Sequence, residues 1–373
     1  KNQLLKKRKL QLRSSQLQRE LTLECMAIGS LPHNNLNDAM ALVKKDFFNI
    51  PFWPQLAKIS KNEDMIFQFL ENMPSLFCNS DKIFLDSEAE EFFENLEEFY
   101  TDYEAILADI NCPNLKKYAI HASCAFGEFI KLVEQVKPKF AKGQIVGPFT
   151  LSASLCTNDG NYAIYDDTLR EIIVKTLTLK ALWQIKEIKN ANPKTVPVIF
   201  IDEPSISQLG TSAYMTITQN DVVEMLKEVS DTIRANGAMS AVHCCGKCDW
   251  SVPLKSGVDI INLDAYSFAQ NLSVFKDDVE KFLLNGGKIA WGIVPTLDKK
   301  ALEAASIELL KEKFDMAVKY LTKKGVDEKL IIENSVITPS CGAGGLSVEM
   351  AEKAMDLTKQ LSVQLKERYK FDN

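Results

Sequence analysis

Nowhere does the sequence hold an apolar run of about eighteen residues, the length a helix needs to span a bilayer, so helical membrane spans are excluded. The first residues also lack the apolar core of a secretory signal, and a cytoplasmic location is expected. Cysteine occurs nine times, an odd number, but scattered, unlike the dense framework of a small disulfide-stapled domain; a reducing compartment follows. Positive charge is not in excess: 44 Lys and Arg stand against 50 Asp and Glu, which disfavours nucleic acid and anionic membrane surfaces as partners. There is no Gly/Ser-rich linker and no internal repeat. The 373 residues are therefore expected to form one large domain, a length that suits an α/β barrel.

Residues 1–20 carry Lys1, Lys6, Lys7, Arg8, Lys9, Arg13 and Arg19 interleaved with leucines, which predicts a basic amphipathic helical arm. No initiator Met heads the chain, and either a trimmed chain or a missing true start is expected. From residue 21 onward, short β-branched or apolar runs alternate with longer helical patterns, the signature of a parallel sheet with crossover helices. Eight strands are expected, at 23–28, 47–52, 144–147, 198–202, 239–243, 259–264, 289–293 and 335–338, which points to a single (β/α)8 TIM barrel over residues 21–373. Helices are expected over 221–236 and 301–324, with Gly237 and Gly325 as C-terminal stops. Residues 56–142 exceed a minimal barrel and read as an insertion between strands two and three, with an acidic helix at 88–103 and a hairpin strand at 118–123.

The densest chemical signal is Val242-His243-Cys244-Cys245-Gly246-Lys247-Cys248-Asp249-Trp250, at the end of the fifth expected strand. His243 and Cys245 project to the same side of an extended chain, because side chains alternate with period two. Downstream, Thr338-Pro339-Ser340-Cys341-Gly342 sets a cysteine just past the last expected strand, in a turn whose glycine permits close backbone approach. The C-terminal ends of barrel strands open on one face, so His243, Cys245 and Cys341 are expected to converge. One imidazole and two thiolates suit Zn2+, and three protein ligands leave a position open, as catalytic zinc does. A coordinated thiol is deprotonated near neutral pH, whereas a free thiol of pKa about 8.5 is mostly protonated. Two alternatives stay open: Cys245 and Cys248 form a C-x-x-C that also reads as a redox pair, and the zinc could be purely structural. Cys244 is expected to face the core. Cys25, Cys78, Cys112, Cys124 and Cys156 read as small buried apolar residues.

These motifs resemble, in order, those of the cobalamin-independent methionine synthase family, within a superfamily that includes uroporphyrinogen decarboxylase and corrinoid-dependent methyltransferases. Ile28-Gly29-Ser30-Leu31-Pro32 is similar to the family's substrate-holding turn after the first strand. Ile201-Asp202-Glu203-Pro204 matches its Asp-Glu-Pro signature, in which the resemblance gives Asp202 the substrate's amino group and sets Glu203 beside it; a capping role for this pair is the alternative. His243-x-Cys245 and Cys341-Gly342 match the zinc motifs, and Asp264 stands where the synthases have a glutamate as fourth ligand. The resemblance runs from Ile28 to Leu346. It covers only the catalytic half of the full-length synthases, whose additional N-terminal barrel helps to bind folate. The methyl donor implied is therefore a methylcorrinoid, delivered by a corrinoid protein, or methyl-tetrahydrofolate. Glu63 is the candidate for the family's second substrate-binding acid, with an exposed helix cap as the alternative reading.

The expected activity is zinc-dependent transfer of a methyl group to a small, homocysteine-like thiol. In-line transfer needs sulfur and methyl on one axis, and orientation by Ser30, Glu63 and Asp202 can contribute on the order of several kcal/mol. His121 and His33 are candidate proton donors. Trp53, Tyr266 and Trp291 are expected to wall the pocket and exclude water. Three rivals are a tetrapyrrole decarboxylase, a thiol-redox protein using Cys245 and Cys248, and a non-catalytic docking protein. The first would want arginines near the first strand, and residues 28–37 contain none.

Overall fold

A computed structural model describes residues 20–78 and 82–371. The expected basic arm lies outside these residues except for Glu20. The described elements are, in chain order, α1 (Leu36–Asp46), β1 (Leu76–Cys78), β2 (Ile83–Leu85), α2 (Phe92–Ala108), α3 (Phe126–Val136), β3 (Phe140–Val146), α4 (Pro148–Ser154), α5 (Asp167–Ala191), β4 (Val196–Asp202), α6 (Gln219–Ala235), β5 (Met239–Cys244), α7 (Ser251–Lys255), β6 (Ile260–Leu263), α8 (Ala265–Leu272), α9 (Lys276–Leu284), β7 (Lys288–Val294), α10 (Lys299–Ala304), α11 (Ile307–Thr322), α12 (Glu328–Glu333), β8 (Ser335–Pro339) and α13 (Val348–Tyr369). Strands β3 to β8 form one parallel six-stranded sheet in sequential order, with at least one helix in every crossover. Each pairs in parallel with the next, as Asp202 does with His243, and the β7–β8 ladder shifts register between Gly292 and Val294.

The two faces of this curled sheet separate by side-chain alternation. Ile199, Ile201, Val242, Ile261, Ile289 and Ile337 pack into the large cluster that contains the helices' apolar residues. On the concave face Val198, Phe200, Met239, Ala241, Ile260, Ala290 and Val336 form a separate cluster with Leu21, Met26, Ile28, Ile50 and Phe140. Two residues further along the strands, the same face becomes polar: Asp202, His243, Asn262 and Thr338 are all buried there. An apolar floor and a polar top thus follow from period two alone, once the sheet curls.

The first two expected strands, 23–28 and 47–52, do not form regular ladders. They contribute isolated parallel bridges, Cys25 to Ile337 and Phe52 to Lys142, while Ser30 bridges Gln55. Backbone bonds from Met26 N–H to Ile337 O (2.9 Å) and from Lys142 N–H to Pro51 O (2.8 Å) flank the six-stranded sheet on its two sides. Two local causes limit these segments: Leu23 has φ of 57°, a left-handed conformation that breaks a strand, and Pro51 has no N–H to donate.

Residues 118–123 are not a hairpin strand: Tyr118 ends a short 3-10 helix and the following residues turn. The hairpin in this region is β1–β2. The expected acidic helix begins later, as α2. The helix expected over 301–324 is two, α10 and α11, divided where the Ser306 side chain caps Leu309 N–H. Gly237 and Gly325 do adopt positive φ, 68° and 95°. Among the described residues no helix is long and apolar enough to cross a membrane.

Candidate metal centre

His243 is the penultimate residue of β5 and faces the concave side, and Cys245 follows directly. Cys341 follows β8. Its backbone is clamped by Thr296, on the loop after β7: the Thr296 hydroxyl accepts from Cys341 N–H (3.0 Å) and donates to Cys341 O (2.9 Å). The ligand atoms of His243, Cys245 and Cys341 all lie within 4.8 Å of one another. The structure thus brings together the three side chains the sequence singles out, from the ends of two strands that flank β6 and β7.

The imidazole is held in one orientation. Asn262 Nδ2 donates to Ala290 O and Thr338 Oγ1, both at 2.8 Å, so its Oδ1 faces His243 Nδ1 at 2.5 Å and must accept. The proton therefore sits on Nδ1, and the buried Nε2 has no hydrogen-bond partner. A buried polar nitrogen without a partner calls for an explanation, and a metal ion satisfies it. The two thiols interact directly. Hydrogen bonding from Cys341 draws the Cys245 thiol down to about 4 against the opposing effect of burial, and the His243 imidazole lowers it further. Cys341 moves up in turn, because Cys245 holds its proton. Burial pulls His243 down, but Cys245 and Asp202 outweigh it and the net shift is upward. Two sulfurs and one imidazole nitrogen, electron-rich and close, form a donor set that fits zinc.

Asp202 ends β4 beside His243. Its carboxylate is buried, with Oδ1 unpartnered, and burial raises its pKa against the pull of His243 and Lys142. Glu203 is different. Its carboxylate accepts from Phe149 N–H (2.9 Å), Thr150 N–H (2.8 Å) and Thr150 Oγ1 (2.6 Å), so both oxygens are spent on the start of α4. Burial still pushes its pKa up to about 7. These bonds are the capping arrangement that stood as the alternative for this pair, and Gly147 is required beneath it, since a Cβ there would stand 2.0 Å from Glu203 Cδ. The Ile28–Ser30 turn meets the Cys341 loop: Ala343 N–H donates to Ser30 O (2.9 Å) and Gly344 N–H to Ser30 Oγ (3.2 Å). Gly342 permits this contact, because a Cβ would lie 2.1 Å from Ser30 Oγ.

Other candidates do not join the cluster. Asp264 is buried, but its Oδ1 caps α8 by accepting from Ser267 N–H (2.9 Å), and it is not within the three-residue group. Glu63 is buried rather than an exposed cap, with its carboxylate accepting from Leu56 N–H and Cys124 N–H, each at 3.2 Å. Tyr266 lies under Lys313 of α11, the ammonium 4.4 Å from its ring centre. His121 is exposed and paired with Glu71 at 3.0 Å. His33 is buried near Glu352 of α13. Trp53 bonds Gln184 of α5, and Trp291 packs edge-on against Phe314 of α11. These aromatics belong to the helix-facing packing, not to a pocket wall. Cys244 and Cys248 are buried and hydrogen-bonded to each other, so the structure pairs Cys248 with Cys244 and not with Cys245. Of the cysteines expected to be buried outside this region, only Cys25 is; Cys78 and Cys124 are exposed.

Sequence reasoning passed over Asn262 and Thr296. Alternation along β6, counted back from Asp264, puts Asn262 on the concave face and could have found it. Nothing local marks Thr296, whose partner is 45 positions away.

No protein-family profile matches the chain. Over 212 residues it is 26% identical to a protein named methionine synthase from Methanocaldococcus jannaschii, a match covering 56% of this chain and 60% of that protein.

Proposed function

We propose that this chain is a zinc-dependent methyltransferase that delivers a methyl group to the sulfur of a homocysteine-like amino acid. The observation that carries the reading is the His243, Cys245 and Cys341 triplet with its unpartnered imidazole nitrogen. The distant similarity to a methionine synthase agrees with it in reaction type. We further propose that the six-stranded sheet and the bridging segments at Cys25 and Phe52 close as an eight-unit barrel. Backbone bonds on both outer edges of the sheet support that closure.

His243, Cys245 and Cys341 would hold the ion, leaving a fourth position to water, to the substrate thiol, or to Asp264 released from its helix cap. Zinc, when bound, supplies the Lewis acidity that keeps a thiol as thiolate at neutral pH. The chain's own groups do the rest. Asn262 fixes the imidazole, Thr296 fixes the Cys341 backbone, and the unpartnered Oδ1 of Asp202 would receive an ammonium group beside the reacting sulfur. Holding sulfur and methyl in line is an orientation effect, which can contribute on the order of several kcal/mol to such a displacement. The donor is a methylcorrinoid, brought by a corrinoid protein, or methyl-tetrahydrofolate.

The thiol-redox alternative needs Cys245 and Cys248 to face each other, and the Cys244–Cys248 contact disfavours it. The test is a methyl-transfer assay with homocysteine against methylcobalamin and against methyl-tetrahydrofolate, with metal content measured on the same protein. One tightly held zinc and turnover with either donor is the expected result. Protein that neither retains zinc nor transfers methyl from either donor would overturn the reading.

A further inference from the structure

Two cavities, of 540 and 340 Å3, adjoin along one side of the molecule, where Asp86 lines both. Carboxylates dominate their walls: Asp86, Glu90, Glu91, Glu98 and Asp102 in the larger, with Glu88, Asp159 and Asp166 added in the smaller. Among the described residues that line them the one cation is Lys117, already bonded to Glu98 (2.6 Å) and Asp102 (2.8 Å). The same walls expose aromatic surface, with Phe77 43%, Tyr162 49% and Tyr165 47% accessible. Crowded like charges favour a cationic partner, and exposed rings favour apolar side chains, so the groove is complementary to a segment that carries both.

The chain contains such a segment. Residues 1–19 hold seven Lys or Arg, five Leu and no Asp or Glu. Their point of departure is fixed: Glu20 pairs with Lys139, directly before β3, and Leu21 packs with Met239 and Ile260, the first residues of β5 and β6. Helix α5 connects this level to that of the groove. It begins at the Asp166 cap, which lines the smaller cavity, and beyond its other end Thr195 Oγ1 donates to Pro138 O (2.6 Å), beside Lys139. The 25 residues of α5 rise about 37 Å, a distance that about eleven extended residues cover. Residues 9–19 can therefore bridge the gap, leaving the first eight or nine free to occupy the groove.

We propose that the basic N-terminal segment docks in this groove of its own chain, with Lys6, Lys7, Arg8 and Lys9 opposite the carboxylates and Leu4 and Leu5 against the aromatic walls. The inference is independent of the metal centre and of the methyl-transfer reading.

The experiment is zero-length carbodiimide cross-linking of the full chain at low ionic strength, with the products mapped by mass spectrometry. The expected products join Lys6, Lys7 or Lys9 to Glu90, Glu91 or Glu98. Mixing isotopically heavy and light protein identifies the copy involved. Cross-links within one isotopic form support the proposal, whereas mixed heavy and light pairs would assign the segment to a second copy and overturn it. Cross-links scattered over other carboxylates, or none from these lysines, would overturn it as well. Trypsin supplies an independent rate, each measured against a labelled free peptide of residues 1–19 in the same tube. Cleavage between residues 6 and 9 should quicken about tenfold or more in E90K/E91K, where both substituted side chains are exposed, and likewise in the unaltered protein near 1 M salt, where the screening length falls to about 3 Å. Equal rates in the two proteins at low salt would refute the docking. Should E90K/E91K fail to fold, the cross-links of the unaltered protein decide alone.

Discussion

The side-chain oxygen of Asn262 lies 2.5 Å from Nδ1 of His243, and the opposite nitrogen of that ring is left without a partner. A metal-ligating histidine depends on such a contact for its tautomer and orientation. Replacing Asn262 by leucine should weaken zinc binding about 10- to 100-fold in a chelator competition. Unchanged affinity would show that the imidazole needs no support from β6.

The ligand side chains and the neighbouring thiols should divide sharply. C341S and H243A should lose zinc during purification, because each removes one of the three ligand atoms within 4.8 Å. C248S and C244S should keep it, since those thiols bond each other. Metal analysis of the four variants decides the matter, and zinc loss in C248S equal to that in C341S would refute the assignment.

Burial lowers the Lys142 pKa from its usual value to about 7, with Asp202 opposing the shift. Between pH 7 and the unfolded-state value of about 10.4, the unfolded chain then binds the proton and the folded chain does not, so stability from this group rises with pH. Relative to K142M, the intact protein should become more stable by on the order of a few kcal/mol as pH climbs through that window. Urea melts at pH 6.5, 8 and 9.5 measure it. A constant difference between the two proteins would mean that Lys142 titrates normally.

Gly147 and Gly127 offer a paired test of packing. A methyl group at 147 would meet the Glu203 carboxyl group at 2.0 Å, and G147A should cost about 3 kcal/mol or more as Glu203 is driven off its amide donors. Gly127, near the start of α3, has nothing within 4 Å, and G127A should be neutral or stabilising by about 0.5–1 kcal/mol. Thermal denaturation compares them. Equal shifts would indicate that Glu203 is free to move.

Six of the eight expected strands are present as a regular parallel ladder, and their positions were legible because each is a short apolar run ahead of a turn signal. Residues 23–28 and 47–52 look equally strand-like, yet Leu23 turns left-handed and Pro51 cannot donate, so only isolated bridges form there. The helix expected over 301–324 keeps an unbroken apolar period across Ser306, which hides the cap that divides it.

What the sequence determined by itself is the set of soft donors: His243 and Cys245 share a face because a strand alternates, and Cys341 follows a strand in a turn whose glycine permits close backbone approach. Which partners those donors have was decided only in three dimensions. Asn262, Thr296 and Lys142 act across gaps of 19, 45 and 114 positions, and the Glu203 carboxylate accepts from amides at the start of α4, more than fifty positions earlier. Spacing reports what one chain segment presents to its neighbour in sequence. The curl of the sheet, which fixes the contacts between inward-facing side chains of different strands, is a property of all the strands together.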